Sequence, residues 1–148
     1  MSMINFMAEG VAMPDLDQAR IGEWVDAVAR AHGRSVGQVT YVFCDDDYIL
    51  CTNREFLQHD YFTDIITFDY TRGRRIGGDL VISLDTVRSN AEGLGVPYSR
   101  ELLRVVIHGV LHLCGINDKG PGEREIMERH ENEALAIYDR LCDKNSTL

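Results

Sequence analysis

The segment His108-Gly-Val-Leu-His112-Leu-Cys-Gly115-Ile-Asn-Asp118 carries the most concentrated chemistry in the chain. Two imidazoles four residues apart share one face of a helix, so both can point at one ion. Gly115 can take the left-handed backbone that ends helices, after which the chain can fold back and bring Asp118 to the same point. Two neutral imidazoles and one carboxylate leave a fourth tetrahedral position open, the feature that separates catalytic from structural zinc sites. Paired histidines inside a buried helix also have a plainer reading, as hydrogen-bonded core residues. The added Gly115 and Asp118 favour the metal, and a metal-dependent hydrolase follows.

The spacing His-x-x-x-His-x-x-Gly-x-x-Asp also serves one branch of zinc peptidases, whose general-base glutamate follows the first histidine. Gly109 stands at that place here, so nothing there could activate a metal-bound water, which argues against proteolysis.

The elements that must position these groups show in the pattern of apolar residues. The segment from Ser99 to about Leu113 is apolar nearly all round, as a buried helix is. Residues 3–7 and Gln38 to Cys44 read as strands, as do Asp64 to Tyr70 and Ile76 to Ser83, the last two joined by the turn Thr71–Arg75. Helical periodicity runs from Asp15 to His32-Gly33 and again over Asp85 to Leu94. A last helix should open at Pro121 and run to about Cys142, with Ile126, Met127, Ala134, Leu135 and Ile137 as its core stripe. Asp45-Asp46-Asp47 is read as N-capping carboxylates for a short helix through about Leu57, rather than as a metal site. The expected fold is α+β (mixed α/β): one domain over residues 1–148, its mixed sheet packed against the central helix that carries the histidines.

Bulk properties narrow the function. The 148 residues can bury roughly two-thirds of their unfolded surface. No apolar run approaches the roughly 20 residues that span a bilayer, and no signal peptide shows, so a cytoplasmic location without a membrane partner is expected. Cys44, Cys51, Cys114 and Cys142 are scattered, which speaks against disulfides and zinc ribbons; each is read as filling apolar space. A formal net charge of −9 is awkward for a nucleic-acid partner, although Arg72, Arg74 and Arg75 form a small basic cluster, with Arg100 and Arg104 ahead of the histidines. Taken alone, that middle cluster reads as a solvated turn.

Other segments accompany the histidine motif in a fixed order. His108-Gly-Val-Leu-His-Leu-Cys-Gly115 fits His-Gly-x-Leu-His-Leu-x-Gly, preceded by Asn53-Arg-Glu-Phe56, Thr63-Asp-Ile-Ile-Thr-Phe68 and Gly78-Asp-Leu-Val-Ile-Ser83. In these the chain resembles the YbeY family of metal-dependent endoribonucleases over nearly its whole length. The resemblance implies a cytoplasmic bacterial enzyme that cuts single-stranded RNA, matures the 3′ end of small-subunit ribosomal RNA and serves ribosome quality control. It implies one zinc ion at the floor of a cleft, with ribosomal RNA and the small ribosomal subunit as partners and no role for DNA.

Two departures from the family pattern bear on the site. Asp118 stands where the family has a third histidine; carboxylates ligate zinc well, and the harder donor set also suits manganese or iron. Leu57 stands where the family has an arginine thought to contact RNA; His59 and the Arg72–Arg75 turn are the candidates to replace it as substrate contacts. Metal-bound water or the 2′-hydroxyl of the RNA could be the nucleophile. Asp79, at a strand end, is the candidate second carboxylate or base, with a structural hydrogen-bonding role as its alternative. Asp64 carries the same two readings, with a cap of the Thr63–Phe68 turn preferred. Two other classes remain: a zinc peptidase-like hydrolase and a non-catalytic, metal-stabilised ribosome-assembly factor.

Overall fold

Segments of β-branched and aromatic residues form four strands, and they alternate with helices whose apolar residues recur every three or four positions. The computed structural model describes residues 3–57 and 63–146. Its strands are β1 (Met3–Ala8), β2 (Ser35–Cys44), β3 (Ile65–Asp69) and β4 (Arg75–Ser83). Its helices are α1 (Gln18–Ala31), α2 (Asp46–Thr52), α3 (Leu84–Leu94), α4 (Tyr98–Leu113) and α5 (Glu123–Ser146), and a π-helical turn, Asn53–Leu57, prolongs α2. The expected α+β fold with a mixed sheet is the one observed.

The strands lie in the order β1-β2-β4-β3, with β3 antiparallel to β4 and the other pairs parallel. Because side chains alternate across a strand, the sheet has two distinct faces. Val39, Tyr41 and Phe43 of β2 and Ile76, Leu80 and Ile82 of β4 join the main core with Trp24 of α1 and Ile107 and Leu111 of α4. Trp24 donates its indole N–H to the Ala134 carbonyl at 2.7 Å, and Tyr41 donates its hydroxyl to the Val106 carbonyl at 3.0 Å, so neither polar atom is buried unpaired. On the opposite face Cys44, Ile49, Ile66 and Val81 form a small second cluster beneath α2.

The acidic run caps helices, as expected. Asp45 accepts from the Tyr48 N–H at 2.8 Å, and Asp46 accepts from the hydroxyls of Ser83 and Thr86, each at 2.6 Å, tying α2 to the start of α3. Several boundaries differ from expectation. Strand β2 begins at Ser35 because its first residues pair with Arg75 and Ile76 across a bulge. Helix α5 begins at Glu123 rather than Pro121, since Gly122 has φ of 76°, outside any helix. Ile126 is exposed while Met127, Ala134 and Leu135 are buried, which narrows the apolar stripe of α5. Cys51 also departs from expectation: it is exposed, while Cys44 and Cys114 are buried, their thiols pushed up by burial to about 12 and about 11. Among the described residues no helix is long and apolar enough to cross a membrane.

Candidate active site

Helix α4 is buried along most of its circumference, but Arg100, Arg104, His108 and His112, spaced by four, stay partly exposed. That stripe faces away from the sheet. The face turned toward the sheet holds Gly109, where an added Cβ would lie 2.9 Å from Ile65 Cδ1 and 2.9 Å from Leu80 Cδ1. Gly109 therefore answers a packing demand, the close approach of α4 to β3 and β4. A glutamate there would point into the core, not at a substrate.

Past the helix, Gly115 has φ of 96° and its N–H reaches the His112 carbonyl at 2.9 Å, while Ile116 N–H reaches Leu111 at 3.1 Å. This reversal is the one expected of a glycine at a helix end. It returns the chain so that Asp118 Oδ2 lies 3.2 Å from His108 Nε2. His112 sits one turn further along the stripe. Among the described residues, no three histidine, cysteine, aspartate or glutamate side chains are already gathered around a metal position. His108 and Asp118 are thus together, whereas His112, one turn further along α4, is not among the residues that line the cleft with them.

On its other side His108 is fixed by a group that sequence reasoning did not single out. His108 Nδ1 is 2.6 Å from Glu131 Oε2 on α5. Glu131 is 3 % exposed and its second oxygen accepts from Arg104 Nη1 at 3.0 Å. Arg104 also grips Glu101, itself buried, through Nε at 2.8 Å and through Nη2. A continuous chain of charge-assisted hydrogen bonds runs Glu101–Arg104–Glu131–His108. A signal existed: Glu131 is a charge four residues past Met127 and three before Ala134, inside an apolar stripe.

These charges set the proton affinities. Burial works against a charged His108, but the hydrogen bond to Glu131 and the charges of Glu131, Asp118 and Asp64 outweigh it and raise its pKa. Burial likewise disfavours the Glu131 carboxylate, yet His108 and Arg104 together hold its pKa below the usual range. Asp64 goes the other way: burial raises its pKa, only partly countered by His108 and Arg104.

The site opens into a cleft of about 990 Å³ between α3, α4 and α5. Its walls carry the carboxylates of Asp64, Glu101, Asp118, Glu128, Glu131 and Asp139 against the guanidiniums of Arg100, Arg104 and Arg124. Asp64, expected to be a turn cap, is one of the lining residues, and its Oδ2 accepts from Asn90 Nδ2 at 3.3 Å.

The remaining candidates lie elsewhere. Asp79 pairs with Thr40 and Phe68 in the sheet and is one residue out of step with Leu80, so it points to the face away from α4. It accepts from the Tyr70 hydroxyl at 3.3 Å. Arg72 and Arg75 line a separate cavity on that side, so neither takes the place of an arginine in the His108 cleft. His59 lies outside the described residues, as does the side chain of Leu57. His32 and His130 meet edge to face at 5.0 Å, and neither lines the cleft, although His130 directly precedes Glu131 on α5.

The donor set suits a cation. With Nδ1 of His108 donating to Glu131, a neutral ring turns its Nε2 lone pair toward a carboxylate oxygen. Two acceptors at that separation need either a proton or a cation between them. A cleft in which carboxylates outnumber guanidiniums favours a divalent ion still more.

Comparisons with known proteins bear directly on this arrangement. The family described as Endoribonuclease YbeY matches residues 8–139. A protein of Phocaeicola vulgatus named Endoribonuclease YbeY is 64 % identical over 135 residues, covering 91 % of this chain and 98 % of its own length. One of the same name from Bacteroides thetaiotaomicron is 59 % identical over 134 residues, covering 90 % and 98 %. Another, from Porphyromonas gingivalis, is 52 % identical over 148 residues, covering 100 % and 98 %. The solution structure of TM1509 from Thermotoga maritima shares the fold, with a TM-score of 0.65 at 24 % identity, over 97 % of this chain and 93 % of that one. The match across nearly the whole chain, His108, His112 and Gly115 included, places the chain in the Endoribonuclease YbeY family.

Proposed function

We propose that the chain is a metal-dependent endoribonuclease that cuts single-stranded RNA, with the 3′ region of small-subunit ribosomal RNA as its cytoplasmic substrate. His108, His112 and Asp118 would hold one divalent ion, zinc in the first instance, with manganese or iron as alternatives suited to the carboxylate donor. The observation that carries this reading is the facing pair of acceptors, His108 Nε2 and Asp118 Oδ2 at 3.2 Å, in an acidic cleft. When bound, such an ion supplies Lewis acidity and positive charge for a scissile phosphate.

The side chains of the cleft do the rest. Glu131 fixes the tautomer and ring orientation of His108, a role that carboxylates commonly play behind ligand histidines. Arg104, clamped between Glu101 and Glu131, holds that carboxylate in place. Asp64, whose proton affinity burial raises, is our candidate to take a proton from the nucleophile or give one to the leaving oxygen. A peptidase reading fares worse, because Gly109 faces the sheet.

Elemental analysis of the wild-type protein beside His112→Ala and Asp118→Ala tests the reading. About one zinc per chain is expected in the wild type and loss in both variants. Cleavage of a single-stranded RNA should fall with the metal. Metal-free wild type that cuts at full rate would end this proposal. Metal loss in His112→Ala accompanied by a collapsed melting temperature, with ribosome association intact and no cleavage by wild type, would favour the assembly-factor reading instead.

A further inference from the structure

The acidic cleft leaves the affinity for a polyanion unexplained, and the open half of the sheet offers an answer. Sheets built of parallel strands are usually covered on both faces. Here α2 covers only one end of the second face. At the other end, Met3 and Gln38 lie in register on β1 and β2, and Tyr70 bonds its N–H to the Gly77 carbonyl at 2.8 Å. At Gly77 a Cβ would lie 3.2 Å from the Gln38 carbonyl oxygen, so no side chain fills the space above it. That space is a cavity of about 460 Å³ lined by residues that include Gln38, Tyr70, Arg72, Arg75, Gly77 and Asp79. That volume falls within the roughly 300–1,000 Å³ range of small-molecule sites.

Its lining combines an exposed aromatic ring with cationic side chains. Tyr70 is 61 % exposed, an aromatic ring held by its hydroxyl on Asp79. Arg72, Arg74 and Arg75 crowd one turn of a chain whose net charge is −9. Among the described residues neither Arg72 nor Arg74 has a carboxylate partner, whereas Arg100 and Arg104 in the cleft are committed to Asp139, Glu101 and Glu131. The turn is also tied to the site: Arg34 Nη1 donates to the Gly73 carbonyl at 2.9 Å, and a Cβ on Gly115 would lie 3.4 Å from Arg34 Nη2. Arg34 thus bridges the basic turn and the loop that carries Asp118.

We propose that this cavity is a second RNA contact, in which one unpaired base of a single strand stacks on Tyr70 while neighbouring phosphates lie on Arg72 and Arg74. Aromatic stacking with guanidiniums along the backbone is how sequence-tolerant single-strand sites are built. Asp79 supplies an acceptor for an amino group of the base. The strand would leave the cleft past Gly115 and cross the Arg34–Gly73 bridge. The proposal rests on the nuclease reading for its substrate class and separates binding from cutting: the metal site cuts, and the open face holds.

The test is fluorescence anisotropy of the full chain with a fluorescein-labelled single-stranded oligoribonucleotide of about 12 nucleotides, with cleavage of the same strand followed in parallel. Tyr70→Ala should weaken binding about 10-fold and raise KM by a like factor, while Tyr70→Phe retains wild-type affinity. Arg72→Ala with Arg74→Ala should lower the slope of log Kd against log salt by about 1.4. Should Tyr70→Ala fail to fold, the arginine pair, on an exposed turn, decides by itself. Wild-type affinity in every variant overturns the proposal, and so does a Tyr70→Ala that disrupts self-association of the chain without touching RNA binding. Wild type that cuts RNA while all variants bind like it removes the cavity alone. Wild type that binds through Tyr70 but never cuts removes the nuclease reading and leaves the cavity standing.

Discussion

The two faces of the sheet are built from the same four strands and do different work. One face is dry: Val39, Tyr41, Phe43, Leu80 and Ile82 pack beneath α1, α4 and α5, and none is more than 0 % exposed. The other is covered by α2 at one end only and presents Met3, Gln38 and Tyr70 to solvent at the other, with Met7 exposed on the edge strand β1. The dry face gives the histidine helix a rigid bed. The helix then offers its far side, with Arg100, Arg104 and His108, to the cleft. The open end of that face leaves its side chains exposed and free to carry binding groups. Rigidity and adaptability are thus assigned to opposite sides of a single layer.

Substitutions can break or sharpen that contrast. The largest effect is expected from Gly109→Glu, which would force a carboxylate between α4 and the sheet, against Ile65 and Leu80. A loss of more than about 4 kcal/mol in urea unfolding is expected, with no gain of protease activity. Activity toward casein in a folded variant would revive the peptidase reading.

Next comes Glu131→Ala. It leaves the Arg104 guanidinium and His108 without their shared carboxylate, and breaking a buried pair of this kind costs about 3–5 kcal/mol. Metal affinity should also fall about 10- to 100-fold, read by competition with a chelating dye. Unchanged affinity would show that His108 needs no support from α5.

Arg100→Ala samples the same cleft at its exposed rim. The Arg100–Asp139 bond is well formed at 2.8 Å, but the side chains are 42 % and 52 % exposed, so a change of no more than about 1 kcal/mol is expected. The hydrogen bond and charge of Arg100 hold the Asp139 pKa below the usual range, so what little this pair contributes is present above the ordinary aspartate pKa and fades as the pH falls through the lowered one. The smallest effect belongs to the open face, where Met7→Ser, at a residue 47 % exposed, should leave the melt within about 0.5 kcal/mol of wild type. A larger loss there would mean that the open face is packed against something in solution.

Local rules reached far into this molecule. The histidine spacing, the glycine reversal at Gly115, the capping aspartates and the order of elements could be read from the chain, because each depends on residues within a turn or two of one another. The helix start at Pro121 was misplaced since Gly122 adopts a positive φ, which glycine permits but does not announce. What lay beyond local rules were contacts between distant segments. Glu131 reaches His108 across 23 residues, and Asp64 enters the cleft through the packing of β3 against α4. Asp79 shows the same limit from the other side. Its position at a strand end made it a reasonable partner for the histidines, but the period of two along β4 turns it to the opposite face.

The sequence alone determined that two histidines share one face of a buried helix, that the glycine after it turns the chain back with an aspartate, a donor suited to a cation, and that the chain resembles a nuclease family. Those are consequences of helical period, backbone freedom at glycine and donor chemistry, which act over a few residues. Only the tertiary structure decided which carboxylate supports His108, why Gly109 has no side chain, and that the arginine turn belongs to the other side of the sheet. These follow from which faces of α4, α5 and β4 come together, and packing of that kind minimises the free energy of the whole chain rather than of any segment of it.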